Sequence, residues 1–349
     1  MYKWVQWNRH KRVYDMTLAG ACAAYLVVFA GATFAAHRGA GAIGVPIVAM
    51  RAFGTLAIVL LHVILCVGPV SRFTTLVAPI LYNRRHLGVT MFFAALAHAA
   101  VAIGYYGGFG VRDPFSATLA GYSSFASVSG FPFEVLGFGA LVILFVMAAT
   151  SHDFWLANLS ARVWQNLHMV VYVAYVLVVL HVVLGAMQSE QSPVYAAVLM
   201  VGVCVVVGLH IAAGVKEIAR ERGAVDPEGE WVDVGSVDEI EDECAKVVCL
   251  RERERIAVFR YGGNKVSAVS NVCAPGGPLG EGRVVGGCIT CPWHGYQYLP
   301  DKGQSPPPYT ETIATYQVRV EGRRILVNPR ANAPGTPVEA AVVMEDEAR

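Results

Sequence analysis

Four histidines stand inside long apolar stretches of this sequence: His62, His98, His168 and His181. A neutral imidazole offers one ring nitrogen to a metal and keeps its proton on the other. Two such rings facing each other from different helices would ligate one haem iron from both sides. That leaves no open position and favours electron transfer over oxygen binding. Ionisable side chains in a bilayer are costly and mark functional sites by default. A single histidine there reads most simply as one hydrogen-bonded between helices; four at matching depths point further. A second group of reactive residues comes later, where Cys273, Cys288, Cys291 and His294 cluster. Their spacing suits a metal or redox site better than a secreted disulfide framework.

The elements that must carry these residues follow from composition. The chain has 349 residues, of which 15% are charged, against about 25% in a soluble protein. Mean hydropathy is +0.48, and the apolar excess lies within residues 14–215. Net charge is +1, so no nucleic-acid partner is implied. A helix needs about 20 apolar residues to cross a bilayer. Six segments qualify: 14–36, 46–70, 86–107, 131–150, 163–187 and 193–214. Lys3, Arg9, Lys11, Arg12, Arg72, Arg84, Arg85, Arg162, Lys216, Arg220 and Arg222 fall on one side of these spans. That side is then the cytoplasmic one, with both termini on it. The N-terminus reads as lacking a cleavable leader.

Depth pairs the histidines. Counted from the cytoplasmic ends, His62 and His168 share a shallow level. His98 and His181 lie deeper, in a looser match that is off by roughly 9 Å before helix tilt. His168 and His181 are 13 residues apart, which is about 20 Å along a helix and about 140° around it. One stripe cannot hold both, so His168 is expected to face span two and His181 span three. His86, beside Arg84 and Arg85, reads as interfacial. His210 has no depth partner.

Asn83-Arg84-Arg85-His86-Leu87-Gly88 followed by His98 resembles the third-span signature of the ferric reductase-like transmembrane family. Trp164-Gln165-Asn166-Leu167-His168 with Tyr172 and His181 resembles it as well. The resemblance covers residues 46–215. It implies b-type haem, transmembrane electron transfer, and His98, His168 and His181 as ligands. His62 departs from the oxidase pattern of that family, where the third helix supplies both partners, so its place rests on depth alone. The flavin and nicotinamide domain of the oxidases is absent from the sequence, and no Gly-x-Gly-x-x-Gly stands on a strand–helix turn.

Residues 231–329 read as short β-branched strands separated by turn residues. In them, Cys288-Ile289-Thr290-Cys291-Pro292-Trp293-His294-Gly295-Tyr296 resembles the second cluster-binding loop of Rieske proteins. Those proteins hold a [2Fe–2S] cluster by two Cys and two His. Carried over, Cys273, Cys291 and His294 match. The first loop, however, has Pro275 where the family has histidine, and proline has no donor atom. Three readings stay open: a Rieske fold without a cluster, a cluster with a substitute ligand, or a variant of a cluster-binding parent. Cys288 reads as a buried strand cysteine.

The expected architecture is an α-helical membrane bundle of six transmembrane helices plus a C-terminal all-β Rieske-like domain. Its divisions are a cytoplasmic N-terminus (1–13), the haem-binding bundle (14–215), a linker (216–230), the Rieske-like domain (231–329) and a disordered tail (330–349). The expected function is electron transfer from a cytosolic donor protein or reductase, through the Rieske-like domain or two b-type haems, to an acceptor at the outer face of a bacterial inner membrane. The rival is a non-redox membrane protein whose clusterless Rieske-like domain serves only for docking.

Overall fold

The structure is a computed structural model that describes residues 9–37, 43–74, 76–111, 113–119, 128–159, 161–189, 193–222, 224, 230–250, 254–274, 276–293, 295–307 and 309–343. The chain divides into two compact units, residues 1–69 with 83–210 and residues 70–82 with 211–349.

The first unit is helical, and its helices run on into residues 70–82 and 211–222 of the second. In chain order they are α1 (Arg9–Ala36) and α2 (Val45–Ser71); after the short α3 (Ala78–Tyr82) comes α4 (Arg84–Tyr106). A short α5 (Pro114–Leu119) leads to α6 (Phe133–Ala149) and α7 (Asp153–Asn158). Then follow α8 (Ala161–Met169), α9 (Val171–Leu184), α10 (Ala186–Ser189) and α11 (Pro193–Arg222). Among the described residues, five helical stretches are long and apolar enough to cross a membrane: Lys11–Ala36, Val45–Ser71, Arg84–Tyr106, Val163–Gln188 and Pro193–Arg222. The apolar α6 has 17 residues and falls short of the other five. The outward faces carry apolar side chains: Val27, Phe93 and Met200 are each more than half exposed, as suits helices solvated by lipid. The inner seam is dry, with Ala174 at 0% and Ala140 and Leu61 at 1% exposure.

The span expected over 163–187 is not one smooth helix. At Val170 the amide reaches the Leu167 carbonyl at 3.3 Å, a tight i to i−3 turn that separates α8 from α9. His168 and His181 therefore sit on different helical segments.

The second unit is built on strands. One sheet runs β1 (Val232–Ser236), β10 (Arg324–Val327), β9 (Val318–Glu321). A second runs β11 (Ala341–Val342), β4 (Lys265–Ser270), β3 (Arg255–Tyr261), β2 (Ala245–Cys249), with β8 (Thr315–Tyr316) also on β4. A third runs β5 (Arg283–Val285), β6 (Cys288–Thr290), β7 (Gln297–Tyr298). All described pairs are antiparallel. β3 and β4 supply side chains to two cores. Ile256, Val258 and Val266 join Val234, Ile325 and Val327 in one. Ala257, Phe259 and Val269 join Leu279, Ile289, Tyr298 and the two cysteines Cys273 and Cys291 in the other. The second core thus positions the cysteine-bearing turns.

Two boundaries differ from the sequence reading. Residues 216–222, expected as linker, are the last turns of α11, where Glu217 and Glu221 both pair with Arg255. The tail expected to be disordered is ordered through residue 343. The Asn332 amide donates to Thr315 O at 2.9 Å and the Val338 amide to Asp301 O at 2.7 Å. Ala341 and Val342 add a strand to β4, and Val343 is buried in the core at 7% exposure. Proline- and alanine-rich composition concealed this, because main-chain bonds to loop carbonyls leave no side-chain pattern to read. Deleting residues 329–349 is expected to lower the thermal midpoint of the strand unit, followed by Trp231 and Trp293 fluorescence. Burying a valine side chain such as Val343 is worth about 1.5–3 kcal/mol. An unchanged midpoint would make the segment a passenger.

Candidate functional site

His98 on α4 and His181 on α9 come together. Their ring centroids are 6.3 Å apart and the planes stand at 82°. Each ring is held from behind by a neighbouring helix. Nδ1 of His98 lies 2.8 Å from the Met50 carbonyl on α2, and Nδ1 of His181 lies 2.8 Å from the Phe133 carbonyl on α6. A carbonyl only accepts, so Nδ1 carries the proton in both rings and Nε2 keeps a bare lone pair. That is the tautomer of a metal-binding histidine whose far nitrogen is anchored by a carbonyl. The spacing also suits a shared metal. With about 2 Å from metal to imidazole nitrogen and about 1 Å more to the ring centre, two imidazoles sharing one metal would have their ring centres up to about 6 Å apart.

Close helix packing makes these contacts possible. A Cβ on Gly54 of α2 would come within 2.9 Å of His98 Nδ1, and one on Gly137 of α6 within 2.7 Å of His181 Nδ1. Phe133 meets the His181 ring at 5.3 Å between centroids and lies over Gly185, where a Cβ would stand 2.3 Å from its Cδ2. None of these glycines was singled out from sequence. A glycine in an apolar helix carries no side-chain pattern, and only the neighbour's position reveals its use.

His62 and His168 have different surroundings. His62 on α2 is 8% exposed and its Nε2 is buried with no hydrogen-bond partner among the described residues. Its ring meets Tyr175 edge-on at 5.6 Å and rests on Gly202 of α11, where a Cβ would lie 2.2 Å from Cε1. His168 on α8 stacks on Trp164 at 3.9 Å, and its Nδ1 lies 3.0 Å from the Trp164 carbonyl. The Trp164 indole donates in turn to Thr150 O at 3.2 Å. Tyr175, the neighbour of His62, is two turns beyond His168, about 10 Å along a helix. Among the other histidines, His86 pairs with Asp15 at 2.7 Å. The His210 Nε2 meets the Tyr172 hydroxyl at 3.0 Å.

In the strand unit Cys273 and Cys291 converge. Their Sγ atoms are 3.5 Å apart and both residues are buried, at 1% and 0% exposure. Two thiolates on one tetrahedral metal at about 2.3 Å would stand about 3.8 Å apart, so the pair suits the two-cysteine half of a Rieske centre. Each cysteine opens a tight turn. Gly276 N donates to Cys273 O at 2.7 Å and Gly295 N to Cys291 O at 2.8 Å. Gly277 N donates to Cys273 Sγ at 3.1 Å. The Tyr298 hydroxyl accepts from Ala274 N at 3.0 Å and ties the first turn to β7. The neighbouring Cys291 thiol, and then burial, push the Cys273 thiol well above its ordinary range. Pro275 and His294 lie outside the described residues. Among the described residues no three His, Cys, Asp or Glu side chains form a metal-binding group. Cys288 is half-buried on β6.

Beside these turns, Glu281 faces Arg72 at 3.5 Å. Burial raises its carboxyl and Arg72 opposes the rise. Burial also pushes the Tyr82 phenol up to about 12.

Comparison with known proteins gives two matches along the chain. The model of the ferric reductase like transmembrane component matches residues 53–179, and that of the Rieske [2Fe-2S] domain matches residues 230–317. The chain is 32% identical over 181 residues to the protein-methionine-sulfoxide reductase haem-binding subunit MsrQ of Ralstonia nicotianae, covering 50% of this chain and 76% of that protein. It is 31% identical over 177 residues to the subunit of the same name from Bordetella pertussis, with the same coverage of 50% and 76%. It is 38% identical over 104 residues to the anthranilate 1,2-dioxygenase ferredoxin subunit of Burkholderia cepacia, covering 28% of this chain and 92% of that protein.

Proposed function

Because the chain belongs to the ferric reductase-like transmembrane family and joins to it a Rieske domain, we propose that it carries electrons across a bacterial inner membrane on two b-type haems. The donor is a cytosolic protein or reductase and the acceptor lies at the outer face. Membrane electron transfer itself follows from the family. The observation that carries the finer reading is the facing pair His98 and His181, each with Nδ1 anchored and Nε2 free to bind iron. Iron held by two imidazoles supplies reversible one-electron chemistry without an open position for oxygen.

His98 and His181 hold one haem in this proposal, and His168 and His62 the other. Support for His62 is its buried Nε2, which has no partner among the described residues, a costly arrangement in an apolar bundle unless a ligand completes it. Against the simple depth pairing stands its contact with Tyr175 rather than with the level of His168. The aromatic stack of His168 on Trp164 restricts that ring to one orientation. The sixth span is α6, whose 17 residues reach the lower limit of about 17 for a crossing helix. With six spans, both termini and the Rieske-like domain are cytoplasmic, as the Lys and Arg distribution supports.

Cys273 and Cys291 suit half of a [2Fe–2S] donor set, with His294 as a third ligand. Pro275 cannot supply the fourth, so no electron step is assigned to the domain. That substitution favours a second reading of this part alone, a Rieske fold that serves to dock the donor.

Purified protein is expected to show the reduced-minus-oxidised spectrum of low-spin b haem, with about two haems per chain by extraction. His98→Ala or His181→Ala should remove one, and His168→Ala or His62→Ala the other. Unchanged haem content in His62→Ala would mean that the partner of His168 comes from elsewhere. A reporter fused after Arg349 should behave as cytoplasmic, and one within 113–129 as external; the reverse pattern would invert the direction of electron flow. After reduction, the unmodified chain should give little or no Rieske-type paramagnetic signal, and Pro275→His should restore one. A full signal without the change would mean that another group completes the set.

A further inference from the structure

We propose that Gly54 and Gly137 are positioning residues for the haem ligands, each opening a helix backbone so that a histidine of the neighbouring helix can anchor its proton there. The proposal rests on the reading of His98 and His181 as ligands.

The two glycines share one local arrangement. His98 bonds to the carbonyl of Met50, and Gly54 is four residues further along the same helix. His181 bonds to the carbonyl of Phe133, and Gly137 is again four residues further. In an α-helix the carbonyl of residue i accepts from the amide of residue i+4. The Cβ of residue i+4 leans back toward the helix N-terminus, over that same carbonyl. A carbonyl oxygen has a second lone pair, but a side chain at i+4 obstructs the approach to it. Glycine at i+4 removes the obstruction.

Distances bear this out at both places. The missing Cβ of Gly54 would stand 2.9 Å from His98 Nδ1 and 3.1 Å from its Cε1. That of Gly137 would stand 2.7 Å from both Nδ1 and Cε1 of His181. The nitrogen that makes the hydrogen bond is thus the atom a methyl group would strike. These are ring atoms pinned by a 2.8 Å bond, so relief requires the ring to turn and the bond to lengthen. Other glycines of these helices lack this contact. A Cβ at Gly139, two residues along α6, would meet only Leu177 Cδ1 at an ordinary 3.7 Å, and one at Gly88 of α4 would meet nothing within 4 Å.

The consequence for iron is electronic as well as steric. Donating the Nδ1 proton to a carbonyl gives the ring imidazolate character and makes Nε2 a stronger donor. A stronger donor stabilises ferric over ferrous iron and lowers the potential. Gly54 and Gly137 act on the same ligand pair from opposite sides, through α2 and α6, so either substitution should produce the same change.

The test uses the full chain in detergent, with Gly54→Ala, Gly137→Ala, Gly139→Ala and His181→Ala. Haem release to excess apomyoglobin and the midpoint potential of each haem are read together. Gly54→Ala and Gly137→Ala should release one haem about 10–100 times faster and raise the potential of that haem, while Gly139→Ala leaves both values as in the parent. If His181→Ala removes a haem but both glycine variants release and titrate like the parent, the proposal is wrong. Faster release with an unmoved potential also overturns it, since that is loss of packing alone. If His181→Ala keeps every haem, the ligand reading itself has failed. Should Gly137→Ala not accumulate, Gly54→Ala on a different helix carries the same test.

Discussion

A histidine proton inside hydrocarbon needs an acceptor, and in a helical bundle the acceptors at hand are main-chain carbonyls already engaged in the helix ladder. Leaving the proton unpaired costs several kcal/mol in a medium without water. The second lone pair of a carbonyl resolves this, and it fixes the tautomer at the same time. Once Nδ1 of His98 is tied to Met50 and Nδ1 of His181 to Phe133, both Nε2 atoms are committed as lone-pair donors. The bundle is arranged around that commitment. α2 must lie close against α4, and α6 close against α9, with a glycine at each contact. His168 meets the same constraint within its own helix, through the Trp164 carbonyl, and needs a stacked indole to hold the ring.

The strand unit answers a different constraint. Cys273 and Cys291 lie 18 residues apart in sequence on two turns, and neither turn has helix geometry to set its side chain. Their positions are fixed by the core beneath them. Phe259, Leu279, Ile289 and Tyr298 surround the thiols, and turn amides bond to the cysteine carbonyls. Tyr298 reaches across to the first turn. The thiols are therefore held together by apolar packing.

What was legible in the sequence is what side-chain type can encode. Apolar length revealed five of the six expected spans, charge asymmetry suggested the sidedness, and β-branched runs located β1 to β4, β9 and β10. His98 and His181 were readable as a pair because imidazole is rare in apolar helices. Three features were not legible. The turn at Val170 is a matter of main-chain bonding in a uniformly apolar run. The ordered segment through Val343 is held by amide-to-carbonyl bonds that composition does not record. The glycines behind the rings are informative only through what occupies the space they leave. The depth match of His62 with His168 rests on counting from helix ends, which does not show what surrounds a ring: His62 meets Tyr175 and Gly202.

The two proposed metal sites differ in how they would tolerate change. In the bundle, each proposed ligand projects from a separate helical segment packed by apolar contacts, so changes in the connecting loops would leave it in place. In the strand unit, the proposed ligands occupy two short turns, and a single residue there would be a whole ligand. Proline at 275 removes a donor atom without removing any of the apolar residues that fold the domain. On the proposed reading, cluster binding in the strand unit could be lost without loss of fold, whereas in the bundle the groups that fix the histidine rings are the same groups that pack the helices. It follows that the bundle, if it holds haem as proposed, constrains its sequence at glycines and backbone contacts as well as at histidines, while the Rieske-like half would be free to keep its shape and change its chemistry.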